Sequence, residues 1–181
     1  MNPAAESPPP ATAYLGLGTN LGDRRANLSA AVAALAALGT VARVSDVYES
    51  DAVGYLDQPH FWNLALQLVT TLTPVELLAA IKDIETRLGR VPSFRMGPRL
   101  IDIDILLYDR DVLDTASLQL PHPGMLERAF VLWPLIELDP GLTHPATGVS
   151  LSDVAHGMGT ASTVRRLGSV DIATGGTNEQ T

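Results

Sequence analysis

The chain has 181 residues, 46% hydrophobic and 18% charged, which suits one globular domain with a sizeable core and excludes a disordered polymer. It has no cysteine, so a disulfide scaffold, a thiol nucleophile and a Cys-ligated metal are excluded. A net charge of −8 argues against nonspecific nucleic-acid binding, and no apolar run is long enough to span a bilayer.

The N-terminus lacks a basic stretch followed by an apolar one, so no signal peptide is expected and a cytoplasmic location is the default. Residues 1–12 are Pro/Ala/Ser-rich and residues 168–181 are polar and Gly/Thr-rich. Both read as loose tails around a single domain at 13–167.

Residues 13–18 read as a short apolar strand, ending in the turn Gly18-Thr19-Asn20-Leu21-Gly22-Asp23. Leu28, Val32, Leu35 and Leu38 then recur at helical spacing, with Gly39 as the expected C-cap. Residues 41–50 alternate like a strand, and 54–59 form a loop. Over 61–69, Trp62, Leu64, Leu66 and Leu68 fall on one strand face, and Phe61, Asn63, Ala65 and Gln67 on the other. Thr73-Pro74-Val75-Glu76 is a helix start with a capping-box spacing. Its buried stripe is Leu77, Leu78, Ile81, Ile84 and Leu88, and Gly89 ends it. An arginine-rich loop leads to a strand over 101–108; 121–138 adds a loop and short helix, and 151–158 another helix. The order β-α-β-β-α-β predicts an α+β, ferredoxin-like fold with helices on a mainly antiparallel sheet.

The run Arg95-Met96-Gly97-Pro98-Arg99-Leu100-Ile101-Asp102-Ile103-Asp104-Ile105-Leu106 carries the most chemistry. Side chains two apart on a strand share a face, so Asp102 and Asp104 project together, while Ile101, Ile103, Ile105 and Leu107 enter the core. Paired carboxylates need a counter-charge. Mg2+ is a natural one, held by one or two carboxylates plus substrate phosphates. Guanidinium groups suit phosphate as planar bidentate donors. Lys82, Arg87, Arg90, Arg95, Arg99 and Arg110 make up half of the 12 basic residues, which in an acidic chain suggests a small anionic ligand.

Taken with Asp57-Gln58-Pro59, Phe61-Trp62-Asn63, Leu120-Pro121-His122-Pro123 and the segment from Glu127 through Arg128, Ala129, Phe130 and Val131 to Trp133-Pro134-Leu135, these motifs resemble the 6-hydroxymethyl-7,8-dihydropterin pyrophosphokinase family of folate biosynthesis. The resemblance covers about 13–140. It implies transfer of a pyrophosphoryl group from ATP to the pterin's hydroxymethyl oxygen, by attack at the β-phosphorus, leaving AMP. It further implies two Mg2+ ions on Asp102 and Asp104, and Arg90 and Arg99 stabilising the transition state. Glu85, Arg95, Met96, Ile105, His122 and Arg128 are the implied ATP contacts. Ser50, Asp51, Val53, Phe61, Asn63 and Phe130 are the implied pterin pocket, the two phenylalanines sandwiching the ring and Asn63 reading its edge. A monomer binding these two small molecules is expected.

Local alternatives stand beside these roles. Arg90 also suits a helix C-terminus, Glu85 a solvated helix face, and Phe61 and Phe130 an ordinary core. Asn20 reads as a turn and pocket-support residue. The chain departs from the family pattern at Met96, where many members have Trp, at Pro92-Ser93 in a slightly shorter loop, at Lys82 for Gln and at Pro123 for Tyr. Among rivals, the Gly16, Gly18, Gly22 spacing is not the dinucleotide fingerprint, and no Gly-Lys-Ser/Thr marks a P-loop. A nucleotidyltransferase would release pyrophosphate instead of AMP. A ferredoxin-like ligand-binding module would need neither the aspartates nor the arginines.

Overall fold

The computed structural model describes residues 8–94, 96–159 and 164–169. The elements run β1 (Ala11–Thr19), α1 (Arg24–Leu35), β2 (Thr40–Val44), β3 (Val47–Ser50), β4 (Phe61–Thr70), α2 (Pro74–Arg87), β5 (Asp102–Tyr108), β6 (Leu113–Asp114), β7 (Gln119–Leu120), α3 (Ala129–Leu138), α4 (Leu151–Gly157) and β8 (Val164–Gly168). The main sheet has the order β5-β1-β4-β3-β8, with β2 also beside β4, and its pairings are antiparallel. The α+β fold with helices on an antiparallel main sheet is therefore present, with the second strand of the expected βαββαβ order divided into β2 and β3.

Two apolar layers sandwich this sheet. On one face Leu28, Val32 and Leu35 of α1 and Leu77, Ile81 and Ile84 of α2 pack on Leu15, Leu17, Leu64, Leu66, Leu68, Ile103 and Ile105. On the other, Leu132, Leu135 and Ile136 of α3 and Leu151 and Ala155 of α4 pack on Tyr14, Ala65, Leu106 and Leu107. Burying a full-sized aliphatic side chain contributes about 1.5–3 kcal/mol, so these layers carry the stability. The helix starts follow local chemistry. Asp23 caps α1 by accepting from Ala26 N–H at 3.0 Å. Thr73 and Glu76 close a reciprocal capping box on α2, with Thr73 N–H donating to Glu76 at 2.8 Å.

Several expectations need correction. Leu107 joins Leu106 on the α3 side, because a bulge against Tyr14 and Leu15 resets the alternation, and Tyr108 takes the core position. The expected strand over 41–50 is two strands. From Val44 to Tyr48 it takes four steps against three from Leu66 to Asn63, and the Ser45 hydroxyl accepts from Ala65 N–H at 2.9 Å in the gap. Gly39 is extended and is no left-handed cap; a Cβ there would lie 2.2 Å from the Val69 carbonyl oxygen, so close backbone approach requires glycine. β1 begins two residues before the expected boundary at 13, and β8 was not expected as a strand. The tails at 1–7 and 170–181 lie outside the described residues.

Candidate active site

β1 forms the floor of a cleft on the α3 face. Its Gly18 stands opposite Asp102 on one side and Asn63 on the other; its Gly16 stands between Asp104 and Ala65. The expected shared face of Asp102 and Asp104 is thus the cleft face, and Phe61 and Asn63 share it. The two glycines keep it open. A Cβ on Gly18 would sit 3.2 Å from Asn63 Oδ1, and one on Gly16 would sit 3.1 Å from the Leu106 side chain. Glycines two apart on a strand face were a legible signal for a flat floor, but in the sequence they weighed only on the dinucleotide question.

The cleft measures about 920 Å³ out to its open mouth. Ser50, Asp51, Val53, Phe61, Asn63, Met96, Arg99, Asp102, Asp104, His122, Arg128 and Phe130 all line it. A second cavity beside it is lined by Ile105, Lys82, Leu78, Leu118 and Pro123, and shares Asp104 and His122 with the first. Arg90 and Glu85 line neither cavity. Arg95 lies outside the described residues.

At one end of the cleft β4 presents Phe61 and Asn63, and Phe130 also lines the cavity. Phe61 opens β4 and Phe130 opens α3. Both Asn63 amide hydrogens are used, on Ser50 Oγ at 2.9 Å and on the Tyr48 carbonyl at 3.3 Å. Its carbonyl oxygen is left to accept from a ligand.

The other end is charged. Asp102 is flanked by Arg99, an ion pair with its Oδ2, and by Arg90 Nη1, 3.0 Å from its Oδ1. Arg90 is held in turn by Glu85, 2.5 Å away. Glu85 is 2% exposed, so the solvated reading fails. Its carboxylate also accepts from Ile103 N–H at 2.7 Å and pairs with Lys82 at 2.9 Å. Glu85 therefore fixes Arg90 against the first two residues of β5, Asp102 and Ile103.

Asp104 lacks such close cations. His122 Nε2 lies 3.8 Å from it. Burial, and then the neighbouring Asp102 carboxylate, raise its pKa above the ordinary aspartate value, while His122 opposes the rise. His122 Nδ1 is buried with no hydrogen-bond partner among the described residues. An under-neutralised carboxylate beside a paired one fits a hard divalent cation that would complete its oxygen shell from substrate phosphates. No cluster of three or more acidic or histidine ligands exists among the described residues, so a closed protein cage is absent.

Asn20 ties the surrounding loops together. It is 2% exposed. Its side chain donates to Gln58 Oε1 at 2.9 Å and the Pro59 carbonyl at 3.0 Å, and accepts from Arg99 N–H at 2.8 Å. Gln58 passes the link on, donating to the Met96 carbonyl at 2.8 Å. Met96 has a left-handed φ of 62° and packs against Gly54, where a Cβ would fall 2.4 Å from its sulfur. The Asp-Gln-Pro motif gave no hint of this long-range role for Gln58.

A Bacillus subtilis protein named 2-amino-4-hydroxy-6-hydroxymethyldihydropteridine pyrophosphokinase is 50% identical over 128 residues, 70% of this chain and 77% of that one. An Aquifex aeolicus protein of the same name is 45% identical over 135 residues, 75% of this chain and 84% of its own length. The structure of Plasmodium falciparum HPPK-DHPS with pteroate matches with a TM-score of 0.70 at 16% identity, a likeness of fold. It covers 85% of this chain, which spans 45% of that longer one. The family model for 7,8-dihydro-6-hydroxymethylpterin-pyrophosphokinase matches residues 14–140, the stretch that carries the glycine floor, both aspartates and both phenylalanines. With that match and the relatives' identity, the chain belongs to the 7,8-dihydro-6-hydroxymethylpterin-pyrophosphokinase family.

Proposed function

We propose that this protein transfers the pyrophosphoryl group of ATP to 6-hydroxymethyl-7,8-dihydropterin, giving AMP and the pterin diphosphate in folate synthesis. The observation that carries the reading is the row Asn63, Gly18, Asp102 across three adjacent strands. Two strand spacings put the amide end and the carboxylate end roughly 10 Å apart over an unobstructed floor. That span suits a pterin ring at one end and a polyphosphate at the other.

In this reading Phe61 and Phe130 take the pterin faces and Asn63 Oδ1 accepts from its ring edge, with Ser50, Asp51 and Val53 completing the wall. The cavity beside Ile105 and His122 takes the nucleoside, with Arg128 and Met96 toward the triphosphate and Arg95 a further ATP contact by the resemblance alone. Glu85 serves the nucleotide through Arg90, which it orients. Asp102 and Asp104 would hold Mg2+, two ions by the resemblance, which when bound offsets phosphate charge. The pterin hydroxyl oxygen forms a bond to the β-phosphorus as the bond to the α,β-bridging oxygen breaks; AMP leaves with that oxygen, and the hydroxyl proton is released to solvent. Arg99, which lines the cleft beside Asp102, stabilises the charge that develops there, and Arg90, which lies behind Asp102 on Glu85, supports it from outside the cleft. No helix among the described residues is long and apolar enough to cross a membrane. A cytoplasmic monomer is part of the proposal.

Calorimetry with MgCl2 and an α,β-methylene ATP tests the nucleotide half. Asp102→Asn with Asp104→Asn should abolish magnesium-dependent binding while the variant stays folded. Unchanged binding would overturn the site.

A further inference from the structure

β8 lies beyond residue 140, where the family match ends, yet it abuts the proposed pterin wall. Its partner is β3, with Tyr48 opposite Arg166, Glu49 opposite Arg165 and Ser50 opposite Val164. On its other edge β3 sets Tyr48 against Asn63 and Ser50 against Phe61. The strand that carries Ser50 into the cleft is thus held between β4 and β8.

The two arginines of β8 act on opposite faces. Arg165 pairs with Glu49 at 2.8 Å, on the face where Glu49 accepts from Trp62 Nε1 at 3.1 Å. Arg166 works on the cleft face. Its Nε donates to Asp46 Oδ2 at 2.6 Å, and its Nη2 lies 3.4 Å from Glu137 Oε1. Glu137 also accepts from Tyr48 OH at 2.6 Å and from Asp46 N–H at 3.0 Å. Burial and that bond to Glu137 push the Tyr48 phenol well above its ordinary pKa, so it stays a donor. Glu137 sits in the last turn of α3, the helix whose first turn carries Phe130. Tyr48 in turn offers its carbonyl to Asn63.

A continuous set of contacts therefore runs from Arg166 through Glu137 and Tyr48 to Asn63, and along α3 to Phe130. We propose that Arg166 of β8 is a positioning residue for pterin affinity, acting through Glu137 and Tyr48 and not through the general hold of the strand. The proposal rests on the pterin reading of the cleft.

The test measures the Kd of 6-hydroxymethyl-7,8-dihydropterin by calorimetry, in the presence of Mg2+ and α,β-methylene ATP. Arg166→Ala should weaken pterin binding about three- to tenfold, with nucleotide affinity within twofold of wild type. Arg166→Lys, which keeps one ion pair, should fall between. Arg165→Ala loosens the same strand from its other face and should leave the pterin Kd unchanged. Equal weakening by Arg165→Ala would reduce the effect to general strand loosening and overturn the proposal. So would an Arg166→Ala variant with wild-type pterin affinity. Failure of the wild type to form AMP with ATP and the pterin would sink the catalytic reading alone, since pterin Kd still reports on Arg166. Absence of pterin binding to wild type would sink both.

Discussion

Asn20 and Arg99 are joined by a two-way clasp: the Asn20 side-chain oxygen accepts from Arg99 N–H at 2.8 Å, and Asn20 N–H donates to the Arg99 carbonyl at 3.1 Å. Asn20→Ala strips the first bond and both bonds to the Gln58–Pro59 segment. Leaving a buried amide unsatisfied costs about 1–3 kcal/mol, or roughly 2–10 °C in Tm for a chain of this size. Turnover should fall further than stability explains, because Arg99 loses its backbone anchor. Calorimetric melting and steady-state kinetics on the variant check both parts; an unchanged Tm would refute the clasp.

Asp104 should trade stability for function. Its folded-state pKa is raised, so the folded protein holds that proton more tightly than the unfolded chain. The associated stability is full below the ordinary aspartate range and is lost as pH rises through the raised value. Asp104→Asn should therefore melt higher than wild type near neutral pH without divalent cation. The side chain is 41% exposed, so the gain is small, about 1–3 °C. It should shrink as pH falls toward the ordinary aspartate range. Added Mg2+ should raise the wild-type Tm and not that of the variant. A variant melting below wild type at pH 7 would contradict this.

Glu85 should prove structural first. Glu85→Ala leaves Arg90 without its nearer carboxylate and Ile103 N–H without an acceptor, at a cost of about 3 kcal/mol. Glu85→Gln keeps the acceptor and should cost about 1 kcal/mol. Urea melts of the pair separate the two contributions; equal losses would show that Ile103 is not the main beneficiary.

Arg99→Ala should lower kcat about 100-fold or more while raising the KM for ATP less than about tenfold, because its proposed work is done in the transition state. A raised KM with kcat unchanged would mean uniform binding only and contradict the assignment.

Much of this was legible in the sequence wherever a short-range rule applied. Strand alternation put Phe61 with Asn63 and Asp102 with Asp104, and the Thr73–Glu76 spacing placed the start of α2. What failed depended on partners far along the chain. The bulge that moves Leu107 is set by Tyr14 and Leu15 in β1. Glu85 sits off the apolar stripe of its own helix and is buried only because β5 and Arg90 close over it. The role of Gln58 depends on Asn20, 38 positions away, and β8 finds its edge on β3 through pairs more than a hundred residues apart.

The central claim is pyrophosphoryl transfer, and nucleotide product identity tests it most directly. The purified protein is incubated with ATP, Mg2+ and 6-hydroxymethyl-7,8-dihydropterin, and the nucleotides are separated by chromatography. Pterin-dependent AMP, formed one for one with the pterin diphosphate, is the expected result. ADP in place of AMP would place the attack at the γ-phosphorus and contradict the reading of the cleft.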